Sequence, residues 1–263
     1  MHRKGFLGTA VVTAALAAVS VLGPTGPVAA ADDGRIGPGT QMVTAGRTCT
    51  ANFVFRDARG RTFVGYAASC ASRPAANPGR CARSLPKGTR VRFAERGRTV
   101  GHGVLRYSSF RALRRAGHKD RASCVANDFA LVRVRGAARR AIDPTMPYWN
   151  GPNGLGALPP RGSRVFGLAR ESARARLLPR AGEVSARGAT ASVTTPLPSN
   201  RASRGSGFLD DTGRAVGVLT ASRASGWNRV VSLAGAVAYA RSHGVAGLRL
   251  VRGTDGFGGT AVL

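Results

Sequence analysis

Lysine is nearly absent from this chain. Of its 40 cationic side chains only Lys4, Lys87 and Lys119 are lysines, a skew that points to an arginine-biased, GC-rich coding sequence more than to chemistry. Acids are scarce as well: 12 Asp and Glu leave a formal net charge of +28. One apolar run alone, at the extreme N-terminus, is hydrophobic enough to suggest a membrane, which excludes a multi-span membrane protein. The 36 glycines follow no period and no segment repeats at a fixed spacing, so a collagen-like or low-complexity chain is excluded too. No C-x-x-C and no clustered Cys/His spacing occurs, which argues against a zinc site; no metal and no cofactor is expected. What is present is a hydrophobic fraction of 43%. That is too high for wholesale disorder, on a chain long enough to form one or two domains with real cores.

Residues 1–31 read as an export signal. Arg3 and Lys4 form a basic start, Gly5 to Gly23 a short apolar stretch, and Pro24, Pro27 and Val28-Ala29-Ala30-Ala31 a helix break with small residues suited to cleavage after Ala30 or Ala31. The alternative is a retained single-span anchor, against which the short run and its Pro/Ala ending count. Cleavage would remove two cations and no acid. The mature chain is then expected to be secreted, extracellular, monomeric and without a transmembrane span.

Export makes the cysteines interpretable. Cys49, Cys70, Cys81 and Cys124 are even in number, which outside the cytoplasm reads as disulfides. Three pairings are possible. Cys49–Cys70 with Cys81–Cys124 is favoured, because the first bridge would staple a hairpin running from Thr50 to Ala68.

Short β-favouring runs follow one another: Thr50–Phe55, Thr62–Ala68, Thr89–Phe93, Phe129–Val134, then Arg164–Leu168, Thr190–Thr195, Gly207–Leu209 and Ala215–Thr220. Asp57-Ala58-Arg59-Gly60 and Asp210-Asp211-Thr212-Gly213 are turn signals between neighbouring runs. Only Leu233 to His243 reads as helix, with Ser232 as N-cap and Gly244 just beyond.

Three segments, in order, resemble the landmarks of chymotrypsin-like serine proteases, best the secreted forms of high-GC Gram-positive bacteria. Tyr66-Ala67-Ala68-Ser69-Cys70 is similar to the "TAAHC" segment that carries the catalytic histidine beside a cystine. Asn127-Asp128-Phe129-Ala130-Leu131-Val132 is similar to the strand start that carries the catalytic aspartate. Ala202-Ser203-Arg204-Gly205-Ser206-Gly207-Phe208-Leu209-Asp210, with Gly213 to Val218 after it, is similar to the "GDSGSxxLD" nucleophile segment. The resemblance covers roughly residues 44–245. It implies an all-β fold of two six-stranded barrels with a C-terminal helix. The implied organisation is a flexible leader at 32–46, a first barrel at 47–136, a connection at 137–163, a second barrel with its helix at 164–245 and a tail at 246–263.

The departures decide the function. The histidine position holds Ser69 and the nucleophile position Arg204, so Asp128 alone remains of the triad. The oxyanion-hole positions are Ala202 and Arg204, and the usual Asp before the nucleophile is Ser203. Serine proteases need an imidazole to take the proton of the attacking hydroxyl. Ser69 cannot act as that base, and a guanidinium has no hydroxyl to give. No triad is intact, and a degenerate site acting by binding is expected. The alternative is an active secreted endopeptidase with a rearranged site, for which Ser206 between two glycines or one of His102, His118 and His243 would have to serve. An inhibitor or decoy role is permitted by the fold, with no residue to support it. Pro198, near the specificity position, offers no carboxylate for a Lys or Arg side chain.

Arg204 is expected to reach across the vacant imidazole place and pair with Asp128. Two cationic groups, Arg111, Arg114, Arg115, Lys119 and Arg121, then Arg170, Arg174, Arg176 and Arg180, favour an anionic polymer as partner, with an unknown protein as the alternative. No nucleic-acid motif is present.

Overall fold

The computed structural model describes residue 2 and residues 34–74, 77, 79–170, 176–196 and 199–259. The signal segment, Pro198 and Arg174 lie outside the described residues, apart from His2.

The first barrel is built from β1 (Gln41–Thr44), β2 (Arg47–Thr50), β3 (Val54–Arg56), β4 (Thr62–Tyr66), β7 (Arg90–Glu95), β8 (Arg98–Ser108) and β9 (Ala130–Val134), while β5 (Ser72–Arg73) and β6 (Arg83–Ser84) form a small separate ribbon. Its sheet runs β3-β4-β9-β8-β7-β1-β2. The expected strand Thr50–Phe55 is bent rather than continuous, and the bend closes the barrel. Ala51 N–H donates to the Thr40 carbonyl at 2.8 Å on the β1 side, and Asn52 N–H donates to Gly65 O at 2.9 Å on the β4 side. Asp57 organises the β3–β4 turn as expected: its carboxylate accepts from the N–H groups of Arg59 and Arg61 and pairs with the Arg61 guanidinium at 2.5 Å.

The second barrel holds β11 (Arg164–Arg170), β12 (Leu177–Arg187), β13 (Thr190–Thr194), β14 (Gly207–Asp210), β15 (Arg214–Ser222) and β16 (Trp227–Ser232), with β10 (Gly154–Leu155) running parallel to β15. The order β15-β14-β11-β12-β13-β16 closes on itself through a β15–β16 pairing. Closure satisfies every edge, which an open sheet would leave exposed. Pro179 lies inside β12, opposite Leu168. It is tolerated because β12 meets β13 only from Glu183 onward, so no second neighbour asks for its missing N–H.

Three expectations are corrected. The leader is not loose: Ile36 is fully buried and β1 lies within it. The tail is not separate, since β17 (Arg249–Leu250) pairs with Phe55 and Arg56 of the first barrel. Two helices escaped the sequence reading, α1 (Ser109–Arg115) and α2 (Arg121–Ala126). Each spans no more than about two turns, too short for a 3.6-residue period to show. The expected helix is α3 (Leu233–Ser242), capped by Ser232 Oγ, which accepts from Gly235 N–H at 3.2 Å.

A shared apolar cluster joins the barrels. Phe53, Phe55 and Phe129 from the first meet Phe166, Leu209 and Val231 from the second, with Val237 of α3 and Trp149 of the connection between barrels. Trp149 is fully buried, packs tilted against Phe166 with ring centroids 4.9 Å apart and donates its indole N–H to Gly167 O at 2.8 Å. The connection is therefore a wedge in the core. Burying one such aromatic contributes roughly 1.5–3 kcal/mol. A polar tie adds to it: Arg170 of β11, 2% exposed, pairs with Glu95 of β7 at 3.4 Å and also donates to Gly39 O.

Candidate functional site

Both expected disulfides are formed. Cys49–Cys70 and Cys81–Cys124 have Cα separations of 6.2 and 5.6 Å, within the span a cystine bridges. The first anchors the 3-10 turn Ala68–Ala71 that follows β4 and carries Ser69.

The three segments singled out in the sequence meet here. Ser69 N–H donates to Asp128 Oδ1 at 2.7 Å, which places the start of β9 directly against the Ser69 turn. From the second barrel, the 3-10 turn Arg201–Ser203 delivers Arg204 against β2: Thr50 N–H donates to the Arg204 carbonyl at 2.8 Å and Thr50 Oγ1 to the Ala202 carbonyl at 2.7 Å. Gly205 sits at φ +95, and a Cβ there would lie 2.4 Å from Thr50 O. Only glycine permits so close an approach of the two barrels at this point.

Asp128 is buried, 5% exposed. Burial pushes its carboxyl above the ordinary aspartate value, while the Ser69 N–H and hydroxyl and the charges of Arg204 and Arg229 pull the other way without overcoming it. The Ser69 hydroxyl nevertheless makes no well-formed hydrogen bond. The expected Arg204–Asp128 ion pair is not formed. Arg204 is half-buried and its Nε is left without a partner. The charge of Arg229 in β16 also acts on the carboxylate, less than that of Arg204, and the two guanidinium groups repel one another. The Nε of Arg229 is buried without a partner too.

The backbone donors at the oxyanion-hole positions are occupied. Asn200 Oδ1 accepts from Ala202 N–H at 2.8 Å and from Ser203 N–H at 3.2 Å, and Arg204 N–H donates to Arg201 O at 3.3 Å. An oxyanion hole requires those N–H groups to point, unpaired, at the developing charge. Here they close a turn. Ser203 is fully buried, its Oγ accepting Arg170 N–H at 2.9 Å, so the position serves to fasten the end of β11. Ser206 is fully buried as well. The histidines sit elsewhere: His102 in β8 beside Arg90 and Arg92, His118 in the α1–α2 connection, and His243 stacked at 3.9 Å on Tyr239.

Asn200 and Arg229 were missed by the sequence reading. Asn200 carried a readable signal, an amide just ahead of a short turn, as N-caps do. Arg229 carried none. One basic group is also corrected: Arg170 and Arg180 are 2% and 4% exposed and so present no charge to a partner. Arg180 donates to Ser199 Oγ instead. Among the described residues no group of three or more His, Cys, Asp or Glu could hold a metal ion, and no helix is long and apolar enough to cross a membrane.

Two closed β-barrels, a site between them and a C-terminal helix define the chymotrypsin-like serine protease fold, and this chain has it. Among solved structures it is similar to Protease A of Thermobifida fusca, with 16% identity and a TM-score of 0.53, over 83% of this chain and 100% of that one. It is similar also to Nocardiopsis protease (NAPase), with 18% identity and a TM-score of 0.51 over 82% and 98%. A glutamic acid-specific serine protease, described as using a histidine triad in substrate binding, matches at 16% identity and a TM-score of 0.52 over 82% and 100%. No protein-family profile and no curated protein matches the chain.

Proposed function

We propose that this protein is a secreted homologue of trypsin-like serine proteases that does not hydrolyse peptide bonds and acts by binding anionic polymers at the cell surface. The observation that carries the first half is the closed turn at Ala202 and Arg204, whose N–H groups bond to Asn200 Oδ1 and Arg201 O. Hydrolysis through the usual mechanism needs a base, a nucleophile and an oxyanion hole. Ser69 and Arg204 stand where the first two would be, and the third is filled from within. Losing nucleophile or base alone costs on the order of a million-fold in a serine protease.

The excess of cations supports the second half, since a chain with 40 Lys and Arg against 12 Asp and Glu attracts polyanions and is steered to them over distance. The two disulfides fit an extracellular setting. The test is to treat the purified mature protein with an active-site-directed fluorophosphonate and with mixed peptide substrates, and in parallel to load it on a heparin column. No covalent label, no cleavage, and retention that is lost by about 1 M salt, where the Debye length is ~3 Å, are the expected results. Labelling would establish the endopeptidase alternative.

A further inference from the structure

The exposed cations are not spread evenly. α1 lays Arg111, Arg114 and Arg115 beside Arg83 and Ser84 of β6, and these five residues line an open pocket of about 260 Å³. Among the described residues no acid lines it. The floor is rigid, because Phe110 and Leu113 of α1 are buried in the first-barrel core and the Cys81–Cys124 bridge ties the β6 side to α2. Arg111 is held in place by donating from Nη2 to Leu85 O at 2.7 Å. Lys87 adds to the crowd: besides the burial of its stem, the charges of Arg115, Arg106 and Arg111 lower its ammonium pKa. Acids elsewhere on the chain are engaged with other groups, Glu95 with Arg170, Asp57 with Arg61, Asp143 with Arg35 and Asp120 as the N-cap of α2. A fixed frame that gathers like charges around a concavity is unfavourable alone and is relieved by an anion.

We propose that this pocket is a phosphate-binding site, in which the guanidinium forks of Arg83, Arg111, Arg114 and Arg115 grip the phosphodiester oxygens of an anionic polymer. The proposal rests on the binding function above and names its site and ligand chemistry. Arginine is suited to phosphate because its planar fork gives two parallel hydrogen bonds to a pair of oxygens, which a lysine ammonium cannot.

The probe is poly(glycerol phosphate), with polyglutamate as the carboxylate comparison, titrated into the mature protein at moderate salt. Arg114→Ala with Arg115→Ala is set against Arg161→Ala with Arg187→Ala, a pair of exposed arginines outside the first barrel carrying the same charge. Charge-assisted hydrogen bonds are worth about tenfold each, so the pocket pair should lose about 100-fold in affinity and the matched pair at most about threefold. A third variant, Arg114→Lys with Arg115→Lys, keeps the charge and the fold and should still lose about tenfold, because the forks are gone. Equal losses in the two alanine pairs, an unaffected lysine variant, or polyglutamate bound as tightly as poly(glycerol phosphate) would each overturn the site while leaving a diffuse polyanion interaction standing. Failure of the parent protein to bind either polymer would overturn the binding function itself.

Discussion

The backbone N–H of Ser69 donates to Asp128 Oδ1 at 2.7 Å, joining residues 59 positions apart. The Ser69 turn holds the carboxylate with its own main chain. The contact fastens the Ser69 turn to the start of β9.

Asp128 carries a pH signature. Its carboxyl is raised above 3.8 by burial, so the folded chain keeps the proton to higher pH than the unfolded chain does. Between those two values the native state binds more protons, and stability falls as pH rises through that window. Asp128→Asn keeps an acceptor for the Ser69 N–H and removes the charge. Urea melts should show the variant equal to the parent at about pH 3 and more stable at about pH 7. A variant weaker at neutral pH would show that the charge itself holds the centre together.

Asn200 closes the turn that an oxyanion would need open. Asn200→Ala removes the acceptor for Ala202 and Ser203 N–H and should cost about 1 kcal/mol, the usual worth of such a cap. Restoring Ser69→His and Arg204→Ser while Asn200 remains should yield no fluorophosphonate labelling, since one missing oxyanion donor alone costs about 10²–10³ in rate. Label on that double variant would mean the turn opens readily.

Arg170 ties the barrels through Glu95 and Gly39 O. Arg170→Ala removes the charge-assisted contacts of a buried guanidinium, so it should destabilise by about 2–3 kcal/mol. Glu95→Gln in the same background should add little, because the pair it would weaken is already broken. Additive losses in that cycle would show that the two side chains act independently.

The cystines span 21 and 43 residues. Replacing Cys49 and Cys70 by Ala should lower stability by about 3 kcal/mol and replacing Cys81 and Cys124 by about 4 kcal/mol, following the loop closed in each case. Denaturant midpoints of the two variants decide the order. A reversed order would place the larger effect in native packing around the Ser69 turn rather than in the unfolded chain.

Much of the fold was legible because its signals are local. The apolar, β-favouring runs in Arg90–Glu95 and Ala130–Val134, the Asp57 and Asp210 turns and the Ser232 cap each act within a few residues. What escaped was interrupted or short: β8 is broken by Gly101, His102 and Gly103, β12 contains Pro179, and α1 and α2 span six or seven residues each. β1 and β17 escaped because a four-residue or two-residue strand is specified by its neighbour rather than by its own pattern.

At the site the division is sharper. By itself the sequence determined the order of the three segments, the presence of Ser69 and Arg204 within two of them, and an even set of cysteines for two bridges, because residue identity and spacing are written along the chain. The tertiary structure alone decided that Arg204 and Arg229 both act on Asp128 without an ion pair, that Asn200 closes the turn at Ala202, and that Arg170 and Arg180 are interior while Arg83, Arg111, Arg114 and Arg115 share one open pocket. A charge has the same letter wherever it stands. Whether it is desolvated, paired or left facing water depends on groups tens to hundreds of residues away, and only folding brings those groups to it.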